Sequence, residues 1–128
     1  MEKDFDGWNA QKKKIGTDST ELYFEIREVW WCFWGVNVGW EQDGGGPFFQ
    51  RPIVVLKKMS RRTCLVAPLT TSIHKHPMRL STGYIRGIRS HAVLSQIKVI
   101  DINRFVEKMG VVDEEYFNKI RKTIKDML

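Results

Sequence analysis

Between Gly44 and Ile100 the sequence contains no aspartate or glutamate, although ten lysines and arginines fall in that stretch. Glu41 and Asp43 are the last acids before Asp101, which excludes a pair of carboxylates acting as general acid and base in the middle of the chain. The net charge of +6 over 128 residues is therefore a +10 middle between arms that sum to −4. No apolar run approaches the roughly 20 residues that span a bilayer. The opening Met1-Glu2-Lys3-Asp4 also lacks the apolar stretch of a signal peptide, so a cytoplasmic protein without membrane contact is expected. The only two cysteines, Cys32 and Cys64, sit inside apolar runs, where buried free thiols are expected rather than a disulfide or a nucleophile. Aromatic residues, by contrast, make up 12% of the chain, which excludes disorder for most of it.

The pattern of apolar residues divides the chain into three parts. Asp4 to Ile15, with Phe5, Trp8 and Ile15 in helical spacing and Gly16 as a stop, predicts a short helix followed by a polar linker to Thr20. Four- to eight-residue apolar stretches at Val29–Trp34, Ile53–Leu56, Thr63–Leu69, Ala92–Leu94 and Ile97–Ile100 predict β-strands, divided by Gly, Pro and charge clusters. Tyr84–Ile88 is a weaker strand, interrupted by Gly83 and Gly87. Asp101 to Gly110 reads as a helix of one or two turns, with an N-cap residue at its start and a glycine at its end. From Asp113 a terminal helix carries Phe117, Ile120, Ile124 and Met127 on one stripe, with Glu114 and Glu115 in its first turn. Short strands followed by helices imply an α+β, mainly β, fold: a small bent sheet or barrel with terminal helices.

Few chemistries fit these residues. His74 and His76 have a spacing that points both imidazoles to one side of a strand, but two ligands do not make a metal site, and nothing in the spacing brings Cys32 and Cys64 to them. Gly44-Gly45-Gly46 lacks the Gly-Lys-Ser/Thr ending of a phosphate loop and reads as a hairpin tip. Ten cations without interspersed anions attract a polyanion, such as nucleic acid or an acidic protein, whereas a merely solvated face usually mixes both signs. Arg51 precedes Pro52 and the apolar run Ile53–Leu56, which fixes it at the mouth of a strand, where a guanidinium can grip a phosphate with two parallel hydrogen bonds. Thr70, Thr71 and Ser72 end the next strand in three hydroxyls, which can orient a phosphodiester or serve only as turn residues.

Three blocks in order carry a family resemblance: Trp31 with Gly39-Trp40-Glu41-Gln42 and Arg51-Pro52-Ile53-Val54-Val55-Leu56; Val66-Ala67-Pro68-Leu69-Thr70; and Ser95-Gln96-Ile97-Lys98-Val99-Ile100-Asp101. The chain from about Glu28 to Leu128 resembles the MazF/PemK toxin family, and Arg104 and Gly110 match its short helix after the last strand. The resemblance implies an SH3-like barrel of the CcdB/PemK type over residues 27–128, with residues 1–26 as an N-terminal helical extension. It further implies a cytoplasmic homodimer that cleaves single-stranded RNA without metal or other cofactor, and an acidic antitoxin as partner. Arg51 and Thr70 fall on the family's catalytic arginine and threonine, and Gly39, Trp40, Glu41, Gln42, Thr71 and Gln96 on its RNA groove.

In the reaction implied, a ribose 2′-hydroxyl attacks the adjacent phosphorus and the 5′-oxygen leaves, giving a 2′,3′-cyclic phosphate. Arg51 is suited to stabilise the charge that builds on the phosphate, and Thr70, too weak a base to act alone, to position it. His91 is the histidine nearest a matched block, and reads either as a base or as a structural residue. The chain departs from the family at three places. Trp40 stands where a small hydroxylic residue is usual, and can stack on a splayed base or pack on Phe48 and Phe49. The loop Glu41 to Arg51 is long, and the N-terminal extension is additional. A gyrase-type inhibitor without enzymatic activity and an RNA-binding module are the alternatives on the same barrel.

Overall fold

The computed structural model describes residues 22–35 and 50–128. The helix expected over Asp4 to Ile15, and Gly39, Trp40, Glu41 and Gln42 with the long glycine-rich loop, lie outside the described residues. Seven strands precede a helix: β1 (Glu28–Phe33), β2 (Gln50–Lys58), β3 (Thr63–Thr70), β4 (Arg79–Ile85), β5 (Ile88–Val93), β6 (Lys98–Asp101), β7 (Phe105–Val111) and α1 (Glu114–Met127). The sheet runs β4-β5-β3-β2-β1-β7, and β6 pairs with β3 off this path. All the pairings are antiparallel.

β3 is where the sheet bends. Its first half, Thr63 to Val66, pairs with β6, and its last two residues pair with β5, through Leu69 opposite Ala92 and Thr70 opposite His91. The chain passes from β5 to β6 through a 3-10 turn at Leu94–Gln96. The two ends of the path then approach one another: Arg86, beside β4, donates to the Glu107 carboxylate at 2.8 Å and to the Lys108 carbonyl at 3.1 Å on β7. The product is a curled half-barrel, mostly β, with one C-terminal helix.

Two clusters fill the two faces of this sheet. Trp30, Cys32, Ile53, Val55, Cys64 and Val66 pack on one face with Phe105, whose ring stacks on Trp30 at 5.0 Å. Val29, Val54, Leu56, Ala67 and Leu69 pack on the other with Phe117 and Ile120 of α1. β2 is buried on both faces, so Ile53–Leu56 reads as a continuous apolar run rather than as an alternation. Phe117, Ile120 and Ile124 of the expected stripe meet the core, whereas Met127, at the end of the helix, is 46% exposed. Both thiols are free and buried, and burial pushes each up to about 12, so they are inert packing groups.

Two expected elements change. Asp101 to Gly110 is not a helix. Asp101 caps a single 3-10 turn, Ile102–Arg104, by accepting from the Asn103 amide at 2.8 Å, and the chain then extends as β7 to pair with β1. Tyr84–Ile88 is not one strand but contains a hairpin turn: Ile85 pairs with Ile88, and Arg86 and Gly87 both take positive φ (50° and 76°), the conformation a two-residue turn requires. At Gly83, φ is 75° and an added Cβ would lie 3.0 Å from the Tyr116 ring, so the close approach of α1 requires glycine there.

Candidate nucleic-acid site

Arg51 lies in the last strand-paired stretch before the sheet opens. It is paired with Cys32 on β1, and continuing the Ile53–Pro68 register by two residues brings it opposite Thr70 on β3. Its side chain is 7% exposed, yet no carboxylate among the described residues neutralises it. Instead Nε and Nη2 donate to the Leu69 carbonyl, at 3.4 and 3.2 Å. A guanidinium carries five N–H donors, so this bond orients the group and leaves the others for a ligand. Burial, and then the charge of Arg79, pulls Arg51 below the ordinary arginine value. Both effects disfavour the cation alone and would be relieved by an anion.

Thr70 ends β3. Its hydroxyl oxygen accepts from the Ser72 amide at 3.1 Å, which holds the side chain in place and leaves its own O–H as a donor. Arg51, Thr70 and Thr71 line one open cavity of about 580 Å³, together with Trp31, Arg86 and Met109. The wall is therefore mixed: hydroxyls and a buried guanidinium for a phosphate, and an indole and a thioether for an apolar or aromatic group such as a base.

The expected residues do not all converge. Gln96 closes the 3-10 turn at Leu94–Gln96 and is not among the residues that line this cavity. His91 stands opposite Thr70, but its imidazole belongs to a neighbouring concavity. Burial, with Arg89 and Arg79, lowers the His91 pKa below 6.5, and its Nδ1 is buried without a hydrogen-bond partner among the described residues. His74 and His76 lie in an exposed loop, and no group of three or more metal-ligating side chains occurs among the described residues.

Trp31, Arg79, Arg86 and Met109 were not singled out as site residues by sequence reasoning. Trp31 stood in the matched block without a role, and its neighbour Trp30 belongs to the core, which only the alternation along β1 could have separated. Arg79 opens β4 after an eight-residue loop, where no local pattern distinguishes it from a solvated arginine.

Residues 25–128 match the family model described as PemK-like, MazF-like toxin of type II toxin–antitoxin system. The chain belongs to this family. No curated relative matches it at the sequence level. Among solved structures, MazF from Deinococcus radiodurans is similar with a TM-score of 0.67 at 15% identity, covering 83% of this chain and 96% of the other. The MazE–MazF structure from the same organism gives 0.64 at 14% identity, covering 83% and 95%. An endoribonuclease in complex with its cognate antitoxin from a mycobacterial species gives 0.60 at 15% identity, covering 81% and 93%. At such identities the likeness is one of fold, and in this PemK/MazF-like toxin it agrees with the curled half-barrel and its C-terminal helix. No helix among the described residues is long and apolar enough to cross a membrane.

Proposed function

We propose that this PemK/MazF-like toxin is an endoribonuclease that cuts single-stranded RNA without a metal ion, leaving a 2′,3′-cyclic phosphate. The observation that carries this reading is the buried Arg51, anchored on a carbonyl rather than on a carboxylate, in one cavity with the Thr70 hydroxyl and the Trp31 ring. The family membership supports the toxin role, and similar structures described as endoribonucleases support the reaction class.

The chemistry follows from these groups. The ribose 2′-oxygen forms a bond to phosphorus, its proton passes to a base, and the bond from phosphorus to the 5′-oxygen breaks. Charge builds on the non-bridging oxygens, where the free N–H groups of Arg51 and the O–H of Thr70 donate. One of those free N–H groups can also donate to the departing 5′-oxygen as charge develops on it. A low-polarity wall strengthens both interactions, because less water competes for the phosphate. The partner proposed is an acidic antitoxin, whose carboxylates would neutralise the same cations, in keeping with the toxin–antitoxin complexes among the similar structures. A cytoplasmic homodimer completes the proposal.

Cleavage of a defined RNA pool in EDTA with mapping of the new ends tests the reaction. Cyclic phosphate ends from the wild type, and none from Arg51→Ala, are expected. Intact RNA together with inhibited DNA supercoiling by gyrase would overturn the ribonuclease reading in favour of an inhibitor on the same barrel.

A further inference from the structure

Beside the Arg51 cavity lies a second concavity of about 380 Å³, lined by the loop from Ile73 to Pro77 with Arg79 and His91. The two are adjacent because Thr70, on the wall of the first, is the cross-strand partner of His91, on the wall of the second. Arg79, on the wall of the second, is near enough to both Arg51 and His91 for its charge to act on each.

The polar groups around this concavity are turned toward donation. Arg79 Nη1 donates to Ser72 Oγ and to the His74 carbonyl, both at 3.3 Å, and no carboxylate among the described residues takes its remaining N–H groups. Ser72 Oγ also accepts from the His74 amide at 3.2 Å, so its own O–H is left to donate. His76 Nδ1 accepts from the Met78 amide at 3.1 Å, which leaves Nε2–H as a donor. Lys75 adds an ammonium. Such a lining suits an acceptor-only, multiply charged ligand, and a phosphodiester oxygen is one.

We propose that the Arg79 concavity is a second phosphate subsite, which holds the phosphate next to the scissile one while Arg51 and Thr70 hold the scissile phosphate itself. The inference rests on the ribonuclease reading for the identity of the polyanion. It adds a requirement: the protein engages two consecutive phosphates, so a dinucleotide with a single internal phosphate leaves one subsite empty. Arg79 then acts on the reaction by fixing the strand relative to Arg51, and its like charge is tolerated because both guanidiniums are neutralised when the strand is bound.

The test uses the full chain and uncleavable 2′-O-methyl dinucleotides carrying no terminal phosphate, a 5′-phosphate or a 3′-phosphate, with binding followed by NMR titration. One of the two phosphorylated forms is expected to bind about ten-fold tighter than the unphosphorylated one, the size of one charge-assisted hydrogen bond. That preference is expected to shrink to within about two-fold in Arg79→Ala and to weaken in the exposed variant Lys75→Ala, whose folding is not at risk. With a longer 2′-O-methyl strand, the slope of log affinity against log salt should become shallower by about 0.7 for each phosphate that the variant leaves without its cation. Equal binding of all three dinucleotides by the wild type, or a preference untouched in both variants, overturns the subsite. Cleavage of an all-ribose strand, run in parallel, reports on the ribonuclease reading separately: a phosphate preference without cleavage would retain the subsite and reject the enzyme.

Discussion

The cations of this protein are held in two different ways. Outside the Arg51 and Arg79 cavities, Lys58 pairs with Glu25, Arg62 with Asp101, and Lys108 with Glu28. At the mouth of the site, Arg51 and Arg79 are instead anchored on carbonyl and hydroxyl oxygens, which orient a guanidinium without cancelling its charge. The boundary is sharp, since Arg86 lines the same cavity as Arg51 yet is neutralised by Glu107 at 2.8 Å. The difference teaches which cations are structural and which are reserved for a ligand: a paired cation has its counter-ion already, whereas an oriented and unpaired one gains most from an incoming phosphate.

The largest effect should come from removing the reserved charge. Arg51→Ala is expected to lower the cleavage rate by about a thousand-fold or more, as removal of a central donor to a developing oxyanion does. Arg51→Lys should not restore it, because an ammonium cannot hold the Leu69 carbonyl and a phosphate in the same fixed fork. Single-turnover rates with a defined RNA measure both, and near-normal turnover by the lysine variant would contradict the role given to the anchored geometry.

On the opposite rim the expected effect is on stability. Glu28 is buried, accepts from the Glu25 amide at 2.9 Å and the Trp30 indole at 3.0 Å, and pairs with Lys108 at 2.8 Å. Burial alone would raise its pKa, but Lys108, the Glu25 amide and Trp30 together hold it below 4.5. Its carboxylate therefore contributes stability above about pH 4.5, and that contribution disappears as pH falls through the lower folded value. Glu28→Ala should cost about 2–3 kcal/mol at neutral pH and flatten the acid limb of the stability profile, as read by urea titration.

Two smaller changes would exchange the two kinds of cation. Thr71→Asp places a carboxylate on the wall that holds Arg51, and should weaken RNA binding by about ten-fold and reduce its salt dependence, whereas Thr71→Asn should do neither. Glu107→Gln frees Arg86 and should strengthen binding by about two-fold, with a stability change under about 1 kcal/mol, since the pair is half-exposed. Fluorescence anisotropy at two salt concentrations separates these outcomes from simple misfolding.

Much of this was legible in the chain. The strands β1, β2 and β3 stand out because they are buried, two of them on both faces, and the terminal helix because its stripe meets a core on one side only. β7 was not legible. Asp101 and Gly110 look like the ends of a helix, and Asp101 does cap one turn, but the edge of β1 offers Phe105–Val111 a ladder of hydrogen bonds, shifted in register at two places, that a short isolated helix cannot match. Gln96 was placed by a matched motif and its neighbours in sequence, whereas the 3-10 turn that it closes sets its position in space, outside the lining of the Arg51 cavity.

The sequence by itself determined the family, the buried thiols, the main strands and a cationic middle free of acids, because these follow from local composition and from motifs contiguous in the chain. Only the tertiary structure decided which of those cations meet a counter-ion within the chain. Arg86 meets Glu107 from 21 residues away, whereas Arg51 meets a carbonyl 18 residues on. Whether a cation finds a carboxylate or a neutral oxygen depends on the register of strands remote in sequence, and that register is set by the packing of the two cores.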